Sequence, residues 1–144
     1  MGRPVWYWNA TANDSDKTIL TVATGKVVQP LYLAIKLKCT ATVGNRILRV
    51  DITDGANYVW RNYVMTALTA NQNGTQQIYF DQPYTRANDA FDPVGADAIN
   101  TTLQQGAPLM YLPAGYTIRV WDSAAVDAAA DDLTVSLHYV EYDV

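Results

Sequence analysis

The stretch 31-LYLAIKLKCTATVGNRILRVDITDGANYVWRNYVM-65 alternates apolar and polar side chains in three successive runs. In the first, Leu31, Leu33, Ile35, Leu37, Cys39 and Ala41 share one parity, and Lys36, Lys38 and Thr40 share the other. Successive side chains of a strand point to opposite faces, so this run reads as a half-buried strand with one wet face. Val43-Gly44-Asn45 then supplies a turn, because Gly and Asn accept the positive φ that a tight hairpin needs. The second run, 46-RILRVDIT-53, sets Leu48, Val50 and Ile52 on one face against Arg49 and Asp51 on the other. It ends at 54-DGAN-57, and an Asp-Gly step between alternating runs predicts a hairpin into 58-YVWRNYVM-65.

The same pattern recurs on both sides, at 17–28, 75–81, 108–112, 116–122 and 133–142. In the last of these, Leu133, Val135, Leu137 and Tyr139 form the apolar face. No long amphipathic helix is legible; 123-SAAVDAAADD-132 permits a helix but is short. About eight short strands predict an all-β chain, an antiparallel β-sandwich that is jelly-roll-like, over residues 17–144. Residues 1–16 read as an N-terminal arm, aromatic at first and polar over 9-NATANDSD-16. The segment 82–107 has no clear period and reads as one long loop, a kind that is usually functional in a compact domain.

A chain of 144 residues can bury a sizeable core without a metal or disulfide staple. Cys39 is the single cysteine, so no intramolecular disulfide forms. The net charge of −4 argues against nucleic acid as partner, since its binders carry basic patches. No apolar run is long enough to span a bilayer, and the first residues lack the apolar core of a signal peptide, which predicts synthesis in the cytoplasm and no membrane partner. Tyr (10) and Trp (4) far outnumber Phe (2), a bias toward aromatics that combine an apolar body with a polar tip.

Four aspartates, Asp122, Asp127, Asp131 and Asp132, crowd the segment between the last two strand-like runs. Their spacing fails the EF-hand pattern: counting from Asp122, the third and fifth positions are Ala and the sixth is Asp rather than Gly. They read as turn and cap residues between strands. The only histidine, His138, falls on the wetter face of the final strand, and Ser15, Ser123 and Ser136 lack a nucleophile-elbow context. Cys39 lies on an apolar face and reads as a buried, inert thiol. A glycosidase-like pair drawn from Asp51, Asp54, Asp89, Asp92 and Asp97 has no sequence signature. The chain is therefore expected to be no enzyme and to need no cofactor or metal. Sequons occur at Asn9, Asn73 and Asn100 where chance in a chain rich in Asn and Thr supplies roughly one, but with no signal peptide to support glycosylation they read as incidental.

The arm 3-RPVWYWN-9 is the candidate partner-binding segment, through Arg3, Val5, Trp6, Tyr7 and Trp8. Arg, Trp and Tyr are the types most enriched at binding hot spots. Two readings stay open: an anchor that docks on a neighbouring subunit, or an edge strand with one face packed on its own domain.

Two stretches, 40-TATVGNRILRVDITDG-55 and 112-LPAGYTIRVWDSAAVDAAADD-132, together resemble small virion structural proteins of tailed bacteriophages. The resemblance covers about a quarter of the chain and leaves out the aromatic arm and 82–107. It implies a capsid decoration, or cement, protein on the capsid surface. Its partners would be the major capsid protein and further copies of itself, as a dimer or trimer, with the arm gripping the shell. A tail-associated or glycan-binding β-sandwich is the alternative, with 82–107, Tyr84 and Trp121 as its contact residues.

Overall fold

A computed structural model describes residues 1–63, 67–80 and 100–144, with the backbone alone at Tyr63 and over 100–106. The described residues form ten strands and no helix: β1 (Arg3–Asn9), β2 (Asp16–Thr21), β3 (Lys26–Lys38), β4 (Leu48–Thr53), β5 (Tyr58–Tyr63), β6 (Asn73–Phe80), β7 (Asn100–Ala107), β8 (Leu112–Pro113), β9 (Thr117–Asp122) and β10 (Asp132–Asp143). The larger sheet runs β1-β10-β3-β6-β7, with the short β8 added to β3, and the smaller sheet runs β2-β9-β4-β5. The chain is a β-sandwich, as the alternation predicts.

The core lies between the sheets. Leu33, Ile35 and Leu37 of β3, Leu133, Val135 and Leu137 of β10 and Ile78 of β6 face Leu48, Val50 and Ile52 of β4 and Ile118 and Val120 of β9, all of them buried. Each such side chain contributes roughly 1.5–3 kcal/mol relative to exposure. Cys39 sits in the same layer, and burial pushes its thiol up to about 11. Native protein at pH 8 is thus expected to resist a thiol reagent over hours, and to react at once in urea, because the thiolate is the attacking species. Rapid labelling of the folded chain would show that the Cys39 layer opens.

Several sequence expectations change. The run 17–28 is two strands, broken at a turn where Gly25 adopts φ 76°. The single parity assigned to 31–41 does not extend to its start: Pro30 pairs with Tyr139 and Tyr32 with His138, which leaves Leu31 as a bulge residue on β3. Upstream of the bulge the buried positions are Val28 and Pro30, and downstream they are Leu33, Ile35, Leu37 and Cys39. A bulge lets one long strand change phase, and it accommodates a proline that cannot donate to the ladder. The turn at 43–45 makes no hairpin, since β3 and β4 lie in different sheets. By contrast, 54–57 is the expected hairpin, with Asp54 accepting from the Ala56 and Asn57 amides.

Residues 100–107, read as the end of a long loop, form β7 and pair with β6 in parallel, the one parallel pairing among the described strands. Nothing in 100-NTTLQQGA-107 alternates; the open edge of β6 supplies the ladder that the side chains do not announce. The rest of that segment, residues 82–99, lies outside the described residues. Of 108–112 only Leu112 is in a strand, and 123–131 is a chain of turns with Ala125 and Asp127 at φ 52° and 53°. Residues 3–9 of the arm are β1, an edge strand laid antiparallel on β10.

Candidate functional site

The two family-like stretches meet in space. β4 pairs with β9, and the connection 39–47 between the sheets packs on the aspartate-rich turns 123–131. The hinge of this contact is a buried ion pair: Arg46 Nε donates to Asp131 Oδ2 at 2.8 Å and Nη2 to Oδ1 at 3.1 Å, with both side chains 0% exposed. Arg46 Nη1 also donates to the carbonyls of Thr42 and Gly44, and Asp131 Oδ1 accepts the Thr40 amide. Hydrogen bonding to Asp131 raises the Arg46 pKa against the opposing effect of burial.

The other three aspartates are occupied similarly. Asp122 accepts the amides of Ile47, Ala124 and Val126. Asp127 accepts the hydroxyls of Thr40 and Thr42, which lower its pKa. Asp132 accepts the Asn13 amide at 2.7 Å. Each carboxylate closes a turn or ties two connections together. Gly44, at φ 145°, lies so close to Val126 that a Cβ there would stand 2.9 Å from its Cγ1, which explains a glycine at this point.

Of the five predicted partner-binding residues, the structure separates three exposed ones, Arg3, Trp6 and Trp8, from two that serve the fold. Val5 and Tyr7 turn inward and pack against the core. Arg3 pairs with Glu141 at 2.8 Å on an exposed rim, where such a bond contributes about 0–1 kcal/mol. Trp6 and Trp8 turn outward and stay 62% and 66% exposed. Lys17 fastens the end of β1 from below, donating to Asn9 Oδ1, the Thr11 carbonyl and the Leu133 carbonyl.

Register then builds something the sequence does not display. Trp6 lies opposite His138, His138 opposite Tyr32, and Tyr32 opposite Tyr79, so four rings from β1, β10, β3 and β6 form one row across the outer face of the larger sheet. The Trp6 and His138 centroids are 5.1 Å apart, and those of Tyr32 and Tyr79 5.0 Å. Trp8 extends the patch into the neighbouring row, over Ser136 and Ala34. His138 was legible as an outward residue; Tyr32 and Tyr79 were missed because only strand pairing places them beside it.

No protein-family model matches the chain. No curated protein matches it either. Solved structures of similar build include Bacillus endospore appendages, disulfide-linked pili, at 10% identity and TM-score 0.37, covering 100% of this chain and 88% of that one. The capsid of Ralstonia phage GP4 aligns at 15% identity and TM-score 0.35, covering 97% and 84%. The coat protein of Tobacco streak virus aligns at 13% identity and TM-score 0.34, covering 98% and 87%. Likeness at this level assigns no function.

The smaller sheet carries a different outer face. Arg49 and Asp51, which parity sets on the face opposite Leu48, Val50 and Ile52, are buried there. Asp51 Oδ2 accepts Trp121 Nε1 at 2.8 Å and Arg49 Nη2 at 3.2 Å, and Oδ1 accepts Arg61 Nε at 2.9 Å. The guanidiniums of Arg49 and Arg119 lie over the Trp121 ring, and Asp16 holds Arg119 through Nε and Nη2. Trp121, a glycan-stacking residue on the alternative reading, therefore has its ring covered by the protein's own arginines. Tyr84, its companion, lies outside the described residues, as do Asp89, Asp92 and Asp97.

Proposed function

We propose that this chain is a non-enzymatic virion structural protein, a capsid decoration protein that adheres to the head shell of a tailed bacteriophage. The outer face of its larger sheet is the adhesive surface, and the major capsid protein is its partner. The observation that carries this reading is the exposed aromatic row, with Trp6 and Trp8 standing out from an edge strand that is fixed to the domain. Rigid aromatic side chains give large contact area for little ordering cost, and Trp and Tyr dominate binding hot spots. The two phage-like stretches support the same reading, because together they form the latch that ties the two sheets of this domain.

The grip on this reading is the face of a strand and not a free arm. Deleting residues 1–9 would strip Val5 and Tyr7 from the core along with the tryptophans, so point variants are the sharper test. Heads lacking the protein are mixed with recombinant chain and sedimented. Trp6→Ala and Trp8→Ala are each expected to weaken binding at least tenfold, about 1.4 kcal/mol, with an unchanged unfolding midpoint. Binding that survives the double variant would overturn the aromatic row as the adhesive face. Absence of binding by the unaltered chain would overturn the decoration role. Symmetric self-association, as a dimer or trimer on the shell, belongs to this reading and is checked by sedimentation velocity of the free chain.

A further inference from the structure

The geometry points to a second binding site on the opposite side of the sandwich, a preformed groove for a neutral sugar ring on the outer face of the smaller sheet. The groove encloses about 280 Å³ and is lined by Thr18, Asp51, Thr53, Tyr58, Thr117 and Arg119, with the turn after β4 as one wall. It lies at the small end of ligand pockets, which run from about 300 to 1,000 Å³, so one ring fits and an extended ligand does not.

The chemistry of the lining selects the class. Three threonine hydroxyls donate and accept, and Thr53 Oγ1 already meets Thr117 Oγ1 at 2.7 Å across β4 and β9. Arg119 commits Nε and Nη2 to Asp16, which leaves its Nη1 donors without a hydrogen bond among the described residues. Asp51 closes the floor of the groove, its side chain buried and held by Arg49, Arg61 and Trp121. Tyr58 adds a ring that is 56% exposed; Arg61 covers it at 3.3 Å from the centroid. Donors, acceptors and an aromatic wall around one small space suit a polyhydroxylated ring. A free anion is disfavoured, because Arg119 already faces Asp16, and Arg49 and Arg61 already face Asp51. An aliphatic ligand is disfavoured too, since no large aliphatic side chain lines the groove.

The site is also rigid before any ligand arrives. Arg119 is clamped by Asp16 and rests against Trp121, Asp51 is held by three donors, and Asp54 fixes the wall by accepting the Ala56 and Asn57 amides. Preorganised polar groups lose little on binding, which is how a shallow site reaches useful affinity. The aromatic row lies on the other sheet, so both surfaces can be occupied at once.

The test is saturation-transfer difference NMR on the full chain with D-glucose, D-galactose, D-mannose and N-acetyl-D-glucosamine, each titrated through the millimolar range. At least one is expected to receive saturation and to titrate to a plateau. Thr117→Val keeps side-chain shape and removes one hydroxyl, and Tyr58→Ala removes the wall from another strand. Each is expected to raise the Kd at least tenfold, while Trp6→Ala/Trp8→Ala leaves it unchanged. Saturation of none of the four sugars overturns the inference. So does binding that both groove variants retain, or binding that the double tryptophan variant alone abolishes. None of these outcomes bears on adhesion to the shell.

Discussion

Replacing Asp131 with Ala is expected to destabilise the protein by about 3–5 kcal/mol, more than any other single carboxylate among the described residues. Arg46 is fully buried and its guanidinium has Asp131 as its only anionic partner among the described residues. Truncating that partner leaves an interior cation hydrogen-bonded only to carbonyl and hydroxyl oxygens, and most of its desolvation cost is then uncompensated. The Thr40 amide loses its acceptor in the same step. For a domain of this size the unfolding midpoint falls by roughly 10 °C or more. Urea unfolding followed by circular dichroism at pH 7 measures it. Removing the charge pair together, as Arg46→Met with Asp131→Leu, is expected to recover most of the loss, because no buried charge is left unpaired. A loss below about 1 kcal/mol for Asp131→Ala would mean that water reaches Arg46 and that the latch is not what fixes the connection between the sheets.

That latch marks the boundary of what the sequence displays. The parity of Leu33, Ile35 and Leu37 against Lys36 and Lys38 depends on neighbours two residues apart, and it survives intact in β3. The Asp54–Asn57 hairpin is equally local and equally legible. Arg46 and Asp131 are 85 residues apart, and nothing near either one announces a partner. Their turn chemistry could be read, but not their burial. Arg49 and Asp51 show the same limit from the other side. Alternation sets them opposite the apolar face of β4, and only the arrival of Trp121 from β9 and Arg61 from β5 turns their face into a packed, ion-paired layer. The aromatic row is a third instance. Trp6 and Trp8 were visible as binding types, yet the surface they belong to exists only once β1, β10, β3 and β6 take their register. A parallel edge strand such as β7, with no alternation of its own, leaves no local signal at all.

Asp51 carries the second large effect, and it is visible in pH. Burial opposes its ionisation, but hydrogen bonds from Arg61, Trp121 and Arg49 outweigh that and hold its pKa below the ordinary 3.8. The unfolded chain therefore takes up the Asp51 proton before the folded one does. Below the unfolded value the unfolded state binds more protons, so stability falls with pH through the folded pKa; above it, the contribution is present in full. Asp51→Asn keeps the shape and removes the charge, and at pH 7 it is expected to lower stability by about 2–3 kcal/mol, the scale of hydrogen bonds to a charged group. As pH falls from 5 toward 2 the unaltered protein should lose this advantage, and the two stability curves should converge. Trp121 gives an independent readout, since its indole N–H donates to Asp51 and its emission should shift over the same range. Curves that stay parallel from pH 7 to pH 2 would show that Asp51 is not the group whose charge organises this face. The sugar groove would then lose the group that positions the arginines around its floor.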